Sequence, residues 1–205
     1  METSLLEKST KTIERCQAEL LDLINGQRNW EHLGDDNNVE SDRLMTESGI
    51  HLIKAVGLIN RTPQQIFDVI WDYQHKSEWD DMCLENILVQ EFTPDFRVQY
   101  QRFWAPWPIN QRDFVFASKV IRTDGDILIT GKSIETELAP EKSGIVRGSI
   151  NTSGFYLQSL GENLTRITYL VCVDPKGSIP TWVVNQLGKR QCQIVHKLKM
   201  RLGDV

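Results

Sequence analysis

Six consecutive stretches with the composition of β-strands fill most of residues 84–173, and this run constrains the fold more than any other feature. Each stretch is rich in β-branched and aromatic residues, and turn sequences such as Thr93-Pro94-Asp95 and Thr123-Asp124-Gly125-Asp126 separate neighbours. Strands joined by short turns pair as antiparallel neighbours. We therefore predict an antiparallel sheet with strands at 84–92, 96–104, 114–122, 127–135, 145–157 and 164–173, and a further strand at 51–59.

Three helices are predicted outside this run of strands. Apolar residues recur at helical spacing within 4–25, where Ile13, Cys16 and Leu20 share one face. Thr62-Pro63 is a suitable start for a second helix, because threonine can cap a helix and proline fits its first turn. A final helix is predicted at 179–202, with an apolar stripe that includes Leu198. The segment through 35–38 is polar and is assigned no helix or strand.

The order of these elements predicts an α+β fold. A closing amphipathic helix must bury its apolar stripe, and the concave face of the sheet is the large apolar surface that remains for it. A sheet that curls around one helix encloses a space between the two. Because the chain shows no repeat and no linker, residues 1–205 are predicted to form a single domain.

Composition excludes several classes of protein. Apolar residues make up 40% of the chain and charged residues 25%, which is typical of a globular domain rather than a disordered one. No stretch approaches the roughly 18 uninterrupted apolar residues that a membrane span needs. The first residues lack the pattern of a secretory signal, and the four cysteines have no C-x-x-C spacing. We therefore predict a cytoplasmic protein with reduced thiols.

Charge is unevenly distributed along the chain. The net charge of −5 argues against a general nucleic-acid binder. Residues 1–50 hold eleven acids and five bases, whereas residues 186–205 hold five bases and one acid. A basic end on an acidic protein is a candidate contact for an anionic surface, and a solvated helix face explains the same pattern.

The motifs of common enzymes are absent from the sequence. It contains no G-x-S-x-G, P-loop, G-x-G-x-x-G or H-E-x-x-H motif, and its four histidines show no metal-ligand spacing. Asp80 and Asp81 form a candidate acid–base pair, but adjacent residues at the start of a strand are expected to point to opposite faces. The sequence therefore predicts no catalytic residue, no metal and no cofactor.

Four motifs resemble those of one known family. They occur in the same order and spacing as in START lipid-transfer domains, and together they extend over nearly the whole chain. They are Lys76-Ser77-Glu78-Trp79-Asp80, the proline-rich loop and Arg-Asp-aromatic strand start at 106–116, Gly144-Ile145-Val146-Arg147, and the segment 174–185 that begins Asp174-Pro175-Lys176-Gly177.

This resemblance implies a helix-grip fold, in which a curved antiparallel sheet wraps around a long C-terminal lid helix and encloses a tunnel. It also implies a soluble, monomeric carrier that holds one lipid, exchanges it at membranes, and lies peripheral to them. The residues implied to bind the lipid are Lys76, Trp79, Asp80, Gln101, Phe103, Arg112, Phe114, Phe116, Arg147, Asn151, Leu170 and Trp182. For Arg112 and Arg147, a structural pairing is the alternative that we favour.

The cargo is predicted only as a class. Lys76 and Asp80 match positions that bind the head group in phosphatidylcholine-carrying members of the family. Their aromatic cage corresponds to Gln101, Phe114 and Asn151, of which one is aromatic. The patterns of sterol-carrying and ceramide-carrying members are also incomplete here. The neutral amides and charges that remain favour a phospholipid-like lipid over a sterol.

The loop 104–108, with two tryptophans and two prolines, is a candidate membrane contact, because tryptophan prefers the membrane interface. The resemblance supports this hypothesis for Trp107 and Pro180. We expect Trp107, Ile179 and Pro180 to enter the bilayer, and Lys189 and Arg190 to meet anionic lipids. The alternative for Trp107 is packing beneath its own loop.

Two other functions stay open at this point. The first is a lipid-sensing module that regulates a protein partner through its acidic first helix. The second is a small hydrolase or cyclase on a related fold, with Asp80 and His75 as acid and base.

Overall fold

The computed structural model describes residues 2–179 and 188–204. Helix α1 spans Glu2–Asn25, α2 spans Pro63–Trp71, α3 spans Ile194–Arg201, and a short 3-10 helix lies at Lys76–Glu78. Residues 188–192, directly before α3, are helical as well. Of the predicted helix at 179–202, residues 188–192 and 194–201 are helical, whereas Ile179 is not, and Pro180 and Trp182 lie outside the described residues.

The strands found in the described residues form one open sheet. They are β1 (Glu31–Asp36), β2 (Val39–Met45), β3 (His51–Ile59), β4 (Cys83–Thr93), β5 (Phe96–Phe103), β6 (Arg112–Thr123), β7 (Asp126–Ser133), β8 (Val146–Arg147), β9 (Ser149–Gly161) and β10 (Leu164–Asp174). Their order is β1-β2-β3-β10-β9-β7-β6-β5-β4, with β8 beside β6. All neighbours are antiparallel except β6 and β8, so the predicted α+β helix-grip fold is confirmed.

Two details of the sheet differ from the prediction. The polar segment through 35–38 belongs to a hairpin of β1 and β2, and its turn residues Asn37 and Asn38 have φ angles of 53° and 59°. Two positive φ values are typical of a tight hairpin turn, for which asparagine is suited. The strand predicted at 145–157 is divided at Gly148, where a Cβ atom would lie 2.3 Å from Phe114 Cε1.

Helices cover both faces of the sheet. On the outer face, α1 packs on β6, β7 and β9, and its Ile13 and Leu20 are fully buried. On the inner face, α3 packs on β3 and β10, where Val195 and Leu198 join a buried cluster with Ile167. Because successive strand residues point to opposite faces, each strand contributes alternately to the two layers.

Helix α2 begins as predicted. The Thr62 hydroxyl accepts a hydrogen bond from the Gln65 backbone N–H, and the Gln65 side chain accepts one from the Thr62 backbone N–H. Pro63 occupies the first turn. This capping box fixes where the chain turns from β3 into α2 and delivers the end of α2 to the inner face.

Gly154 is the point of closest approach between α1 and the sheet. A Cβ atom there would lie 2.3 Å from Leu20 Cδ2 and 2.5 Å from the Ile129 carbonyl oxygen. We expect Gly154→Ala to lower the free energy of unfolding by about 1–3 kcal/mol, the usual cost of overpacking. Urea denaturation measures the change. Gly188→Ala, where a Cβ atom meets nothing within 4 Å, is the control and should be neutral or stabilising. Equal stability of the two variants would contradict the tight contact.

Candidate functional site

A cavity of ≈ 230 Å³ lies between the inner face of the sheet and the helices. Along β5, Arg97, Gln99, Gln101 and Phe103 line it in alternation. Arg97 and Phe103 are six residues apart, so the lining extends about 20 Å along the strand at roughly 3.3 Å per residue. The intervening Tyr100 packs instead in the cluster around Ile13 of α1. The cavity is therefore elongated, and strand alternation decides which residues reach it.

Eight of the twelve predicted lipid-binding residues line this cavity. They share positions on the inner face of β5 and β6 or around the 3-10 helix, and they are Lys76, Trp79, Asp80, Gln101, Phe103, Arg112, Phe114 and Phe116. Trp182 lies outside the described residues. Two of the predicted membrane-contact residues, Ile179 and Arg190, also line the cavity.

Three predicted residues are not among those that line the cavity. Leu170 is fully buried on the outer face with Leu20, because its neighbours Tyr169 and Val171 take the inner face. Asn151 lies near the Cys172 thiol, 3.9 Å from its Sγ atom, and Cys172 belongs to the same outer cluster. Neither residue lies where we expected it. For Leu170 the cause is strand alternation, and for Asn151 it is the register shift in the pairing of β9 and β10 between Cys172 and Val173.

Arg147 is the third, and it has the structural role that we favoured for it. Its Nε atom lies 2.8 Å from Asp113 Oδ1, and Nη2 donates to the Ala139 carbonyl oxygen at 3.2 Å. The Asp113 carboxylate is almost fully buried, so the guanidinium group provides the charge that it needs. This pair joins β8 to β6 away from the cavity.

Arg112 reaches the cavity wall, but backbone carbonyls occupy its donors. Its Nε atom lies 3.2 Å from the Pro175 carbonyl oxygen, and its Nη2 atom lies 3.2 Å from the Lys176 carbonyl oxygen. Nη1 donates to the Asn110 carbonyl oxygen. Burial lowers the pKa of the guanidinium group. Arg112 therefore ties the start of β6 to the segment after β10.

A cluster of five charges lies beside the cavity, and we call it the charge cluster. Lys76 Nζ lies 3.1 Å from Asp80 Oδ2, and Lys197 Nζ lies 3.4 Å from Asp80 Oδ1. Lys197 also pairs with Asp81, and Arg190 Nη1 lies 3.1 Å from Asp81 Oδ2. The cluster joins the C-terminal helical residues to the turn that precedes β4.

The two adjacent carboxylates of the charge cluster share one lysine, so the expectation that they point to opposite faces was wrong. Asp80 and Asp81 lie in a turn before β4, where strand alternation does not apply. Burial would raise the pKa of Asp80, but the ammonium groups of Lys76 and Lys197 outweigh it, and the pKa lies below its ordinary value. The Asp80 carboxylate is therefore ionised and serves as an ion-pair partner.

The other member of the proposed acid–base pair lies elsewhere. His75 Nδ1 is 2.6 Å from Asp72 Oδ2, and His75 is not among the residues that line the cavity. Asp80 contacts lysines instead of a histidine. The geometry in the described residues therefore does not assemble the acid–base pair of the hydrolase alternative.

Trp79 closes one side of the cavity. The Lys76 ammonium lies 4.3 Å from the centroid of its ring, and the Trp79 Nε1 atom has no hydrogen-bond partner in the described part of the chain. The indole is almost fully buried with Ile66, Phe67 and Ile194. Its ring thus packs in the core while its edge and Lys76 border the cavity.

Eight polar residues that line the cavity were not predicted as part of the site, and they are Arg97, Gln99, Ser118, Thr130, Ser153, Tyr169, Gln191 and Lys197. Arg97 and Gln99 precede Gln101 by four and two residues on the same strand. Counting back in steps of two from Gln101 would have found both. No comparable signal in the sequence identifies Lys197, because its contact with Asp80 joins residues 117 positions apart.

The loop after β5 exposes aromatic surface. The Trp107 side chain is 91% exposed and Trp104 is 40% exposed. The alternative of a Trp107 packed beneath its own loop was therefore wrong. The Trp104 backbone N–H donates to the Met82 carbonyl oxygen at 2.9 Å, so this loop begins beside the charge cluster. Lys189 is exposed as well.

Removal of the Asp80 charge should destabilise the protein. In Asp80→Asn, the ammonium groups of Lys76 and Lys197 lose a buried counter-charge, and we expect a loss of about 3 kcal/mol in the free energy of unfolding at neutral pH. Asp95→Asn, which breaks an exposed pair with Arg122, should cost less than about 1 kcal/mol.

The same variant predicts a pH dependence. Because the pKa of Asp80 is depressed in the folded state, its stabilisation is complete above the ordinary aspartate pKa and disappears as pH falls through the folded-state value. Urea denaturation at several pH values should show the wild-type and Asp80→Asn stabilities converging in acid. A constant difference down to the lowest pH would contradict the assignment.

Among the described residues, no helix is both long enough and apolar enough to span a bilayer. A family model described as START domain matches residues 12–201. START domain-containing protein 10 of Homo sapiens is 31% identical over 149 residues, and the match covers 72% of this chain and 50% of that relative. The chain thus spans about half the length of this relative and of its Mus musculus counterpart.

Two further comparisons cover a larger share of the similar protein. Phosphatidylcholine transfer protein of Mus musculus is 26% identical over 187 residues, 82% of this chain and 86% of that protein. The structure of human StAR-related lipid transfer protein 5 superposes with a TM-score of 0.86 at 22% identity, covering 94% and 95% of the two chains. The family resemblance predicted from the four motifs is confirmed: this chain belongs to the START domain family.

Proposed function

We propose that this protein is a lipid carrier that holds one phospholipid-like lipid in the cavity and exchanges it at membranes. The observation that carries the proposal is the elongated cavity, which combines aromatic and aliphatic walls with a few buried polar side chains. Moving an acyl chain through water costs about 0.8 kcal/mol per CH₂, so a two-chain lipid needs well over ~20 kcal/mol of shielding. Shielding and exchange require no catalytic residue, so the proposal includes no enzymatic step.

The names of two similar proteins support the class of cargo. One is a phosphatidylcholine transfer protein and the other is a lipid transfer protein. In this chain, Lys76, Asp80 and Gln101 supply polar groups on the cavity wall, and Phe103, Phe114 and Phe116 supply apolar ones. We propose that these side chains, together with Trp79, contact the bound lipid, with the protein acting as a cytoplasmic monomer.

Loading must enlarge the cavity. The cavity volume of ≈ 230 Å³ is smaller than the roughly 300–1,000 Å³ of pockets that bind drug-sized ligands. A two-chain lipid is larger than such ligands. The charge cluster joins Arg190 and Lys197 of the C-terminal helical residues to Asp80 and Asp81, beside the cavity. We propose that the C-terminal helical residues move as the lid and that these ion pairs exchange partners when they do.

Filling the cavity should stop transfer. Val171 is buried and lines the cavity, so we expect Val171→Trp to reduce the rate of lipid transfer between donor and acceptor vesicles at least about tenfold, a barrier change of about 1.4 kcal/mol. Leu160→Trp, on an exposed side chain, is the control and should transfer normally. A folded Val171→Trp protein that transfers lipid at the normal rate would contradict the proposal. A wild-type protein that loads lipid but does not exchange it would instead fit the lipid-sensing alternative.

The loop that carries Trp107 is proposed as the membrane contact. Trp107 is exposed, and Ile179 lies on the cavity wall at the same end of the sheet as Arg112. We propose that Trp107, Ile179 and Pro180 enter the bilayer, while Lys189 and Arg190 meet anionic lipid head groups. Tryptophan favours the interface because its ring is amphipathic.

Loss of the Trp107 side chain should weaken membrane contact without unfolding the protein. We expect Trp107→Ala to weaken binding to phosphatidylcholine–phosphatidylserine vesicles about tenfold, since burying a large apolar side chain is worth about 1.5–3 kcal/mol. Vesicle co-sedimentation measures the effect, and Leu160→Ala at the opposite end of the sheet is the control. Unchanged binding and unchanged transfer, at unchanged stability, would refute the contact.

A further inference from the structure

Arg97 is a buried cation without a carboxylate partner in the described residues. Its relative exposure is 4%, and Nη2 donates to the Trp71 carbonyl oxygen at 2.8 Å, while Nε has no hydrogen-bond partner. The guanidinium group stacks 3.6 Å from the centroid of the Trp71 ring and 5.4 Å from that of Tyr73. Burial lowers the pKa of Arg97 to about 10, so the side chain is still charged at neutral pH.

A buried charge of this kind requires compensation. Transfer of an unpaired ion into the interior is costly, and buried charges are ordinarily paired. Here one carbonyl, two aromatic faces and the carboxylates of Glu91 and Asp72, which form no ion pair with Arg97, provide part of the compensation. The unsatisfied Nε donor leaves capacity for one more acceptor, and the side chain lines the cavity, where a cargo group can supply it.

Polar neighbours extend this position into a small site. Ser118 lies opposite Arg97 in the pairing of β5 and β6, and Gly131 lies opposite Ser118 in the pairing of β6 and β7. Gln99 follows on the same face of β5. All of these line the cavity, and the nearest atom to a Cβ built on Gly131 is Ser118 Oγ at 3.5 Å. The missing side chain at Gly131 therefore leaves room beside the Ser118 hydroxyl.

The other cations on the cavity wall are already compensated. Lys76 and Lys197 pair with Asp80, Arg190 pairs with Asp81, and the donors of Arg112 meet three carbonyl oxygens. Arg97 differs from all of them because it has neither a carboxylate nor a full set of acceptors. An anion that enters the cavity therefore finds its most favourable electrostatic interaction at Arg97.

We infer that Arg97, supported by Ser118 and Gln99, binds an anionic group of the lipid cargo, either a phosphate or a carboxylate. This inference rests on the proposed function and names its cargo more closely. Arg97 lies about 20 Å from Phe103 along β5, at roughly 3.3 Å per residue, whereas the charge cluster connects through Met82 to the loop after Phe103. The anionic end of the lipid thus lies at the end of the cavity away from the Trp107 loop. Its acyl region extends toward Phe103 and Phe114.

The test compares lipids that share their chains and differ in charge. Purified protein is offered neutral carrier vesicles that contain phosphatidic acid or the diacylglycerol with the same chains, and native mass spectrometry measures the amount of each bound. A second pair, a long-chain fatty acid and the matching fatty alcohol, distinguishes a carboxylate from a phosphate. Wild-type protein should prefer the acidic member of at least one pair by about tenfold, which corresponds to about 1.4 kcal/mol.

The variants are Arg97→Gln and Arg97→Lys, with Arg122→Gln on an exposed ion pair as the control. Arg97→Gln should lose the preference for the acidic lipid and keep its binding of the uncharged partner, and Arg97→Lys should keep part of the preference. Without cargo, Arg97→Gln should be no less stable than wild type in urea, because an incompletely compensated charge has been removed. Equal loss of charged and uncharged lipids, or an unchanged preference, would overturn the inference. If the wild-type protein binds none of the four probes but takes up a lipid of the carrier vesicles, the inference is overturned and the proposed function stands. If native mass spectrometry detects no bound lipid at all, the proposed function itself is overturned.

Discussion

The strand walls of the site depend on the alternation of side chains between two covered faces of the sheet. The outer face is closed by α1, whose Ile13 and Leu20 fit against the sheet without space. On the inner face, α3 packs on β3 and β10 and α2 packs on β7 and β9, and a cavity remains against β5 and β6. Because one residue in two of β5 fills the outer layer, the polar side chains that β5 contributes to the cavity occur at the intervening positions.

The charged side chains on the cavity wall differ in how completely the protein compensates them. In the charge cluster, each ammonium or guanidinium group forms an ion pair with a carboxylate. The pairs of Arg190 and Lys197 join the C-terminal helical residues to the turn before β4. At Arg97 the compensation is incomplete, and the side chain is held by a carbonyl and by aromatic faces. The paired charges connect parts of the chain that are far apart in sequence, and the incompletely compensated one is the basis of the proposed anion site.

The sequence predicted the fold well because the strands are long, rich in branched and aromatic residues, and separated by strong turn signals. It failed at β1, whose residues are mostly exposed, and at β2, whose buried residues include the polar Ser41 and Asp42, so no alternating apolar pattern marks either strand. Asn37-Asn38 was the available signal there. Of the residues predicted to bind the lipid, Gln101 and Phe103 line the cavity, whereas Leu170 and Asn151 do not, because the face of a strand residue depends on the register of its strand. The pairing of β9 and β10 shifts between Cys172 and Val173, which no local pattern reveals.

The close contact at Gly154 has a mechanical consequence. With Leu20 seated directly on the backbone of β9, α1 has no room to move closer to the sheet at this point. We therefore expect a guest larger than the empty cavity to displace the inner helices instead of α1.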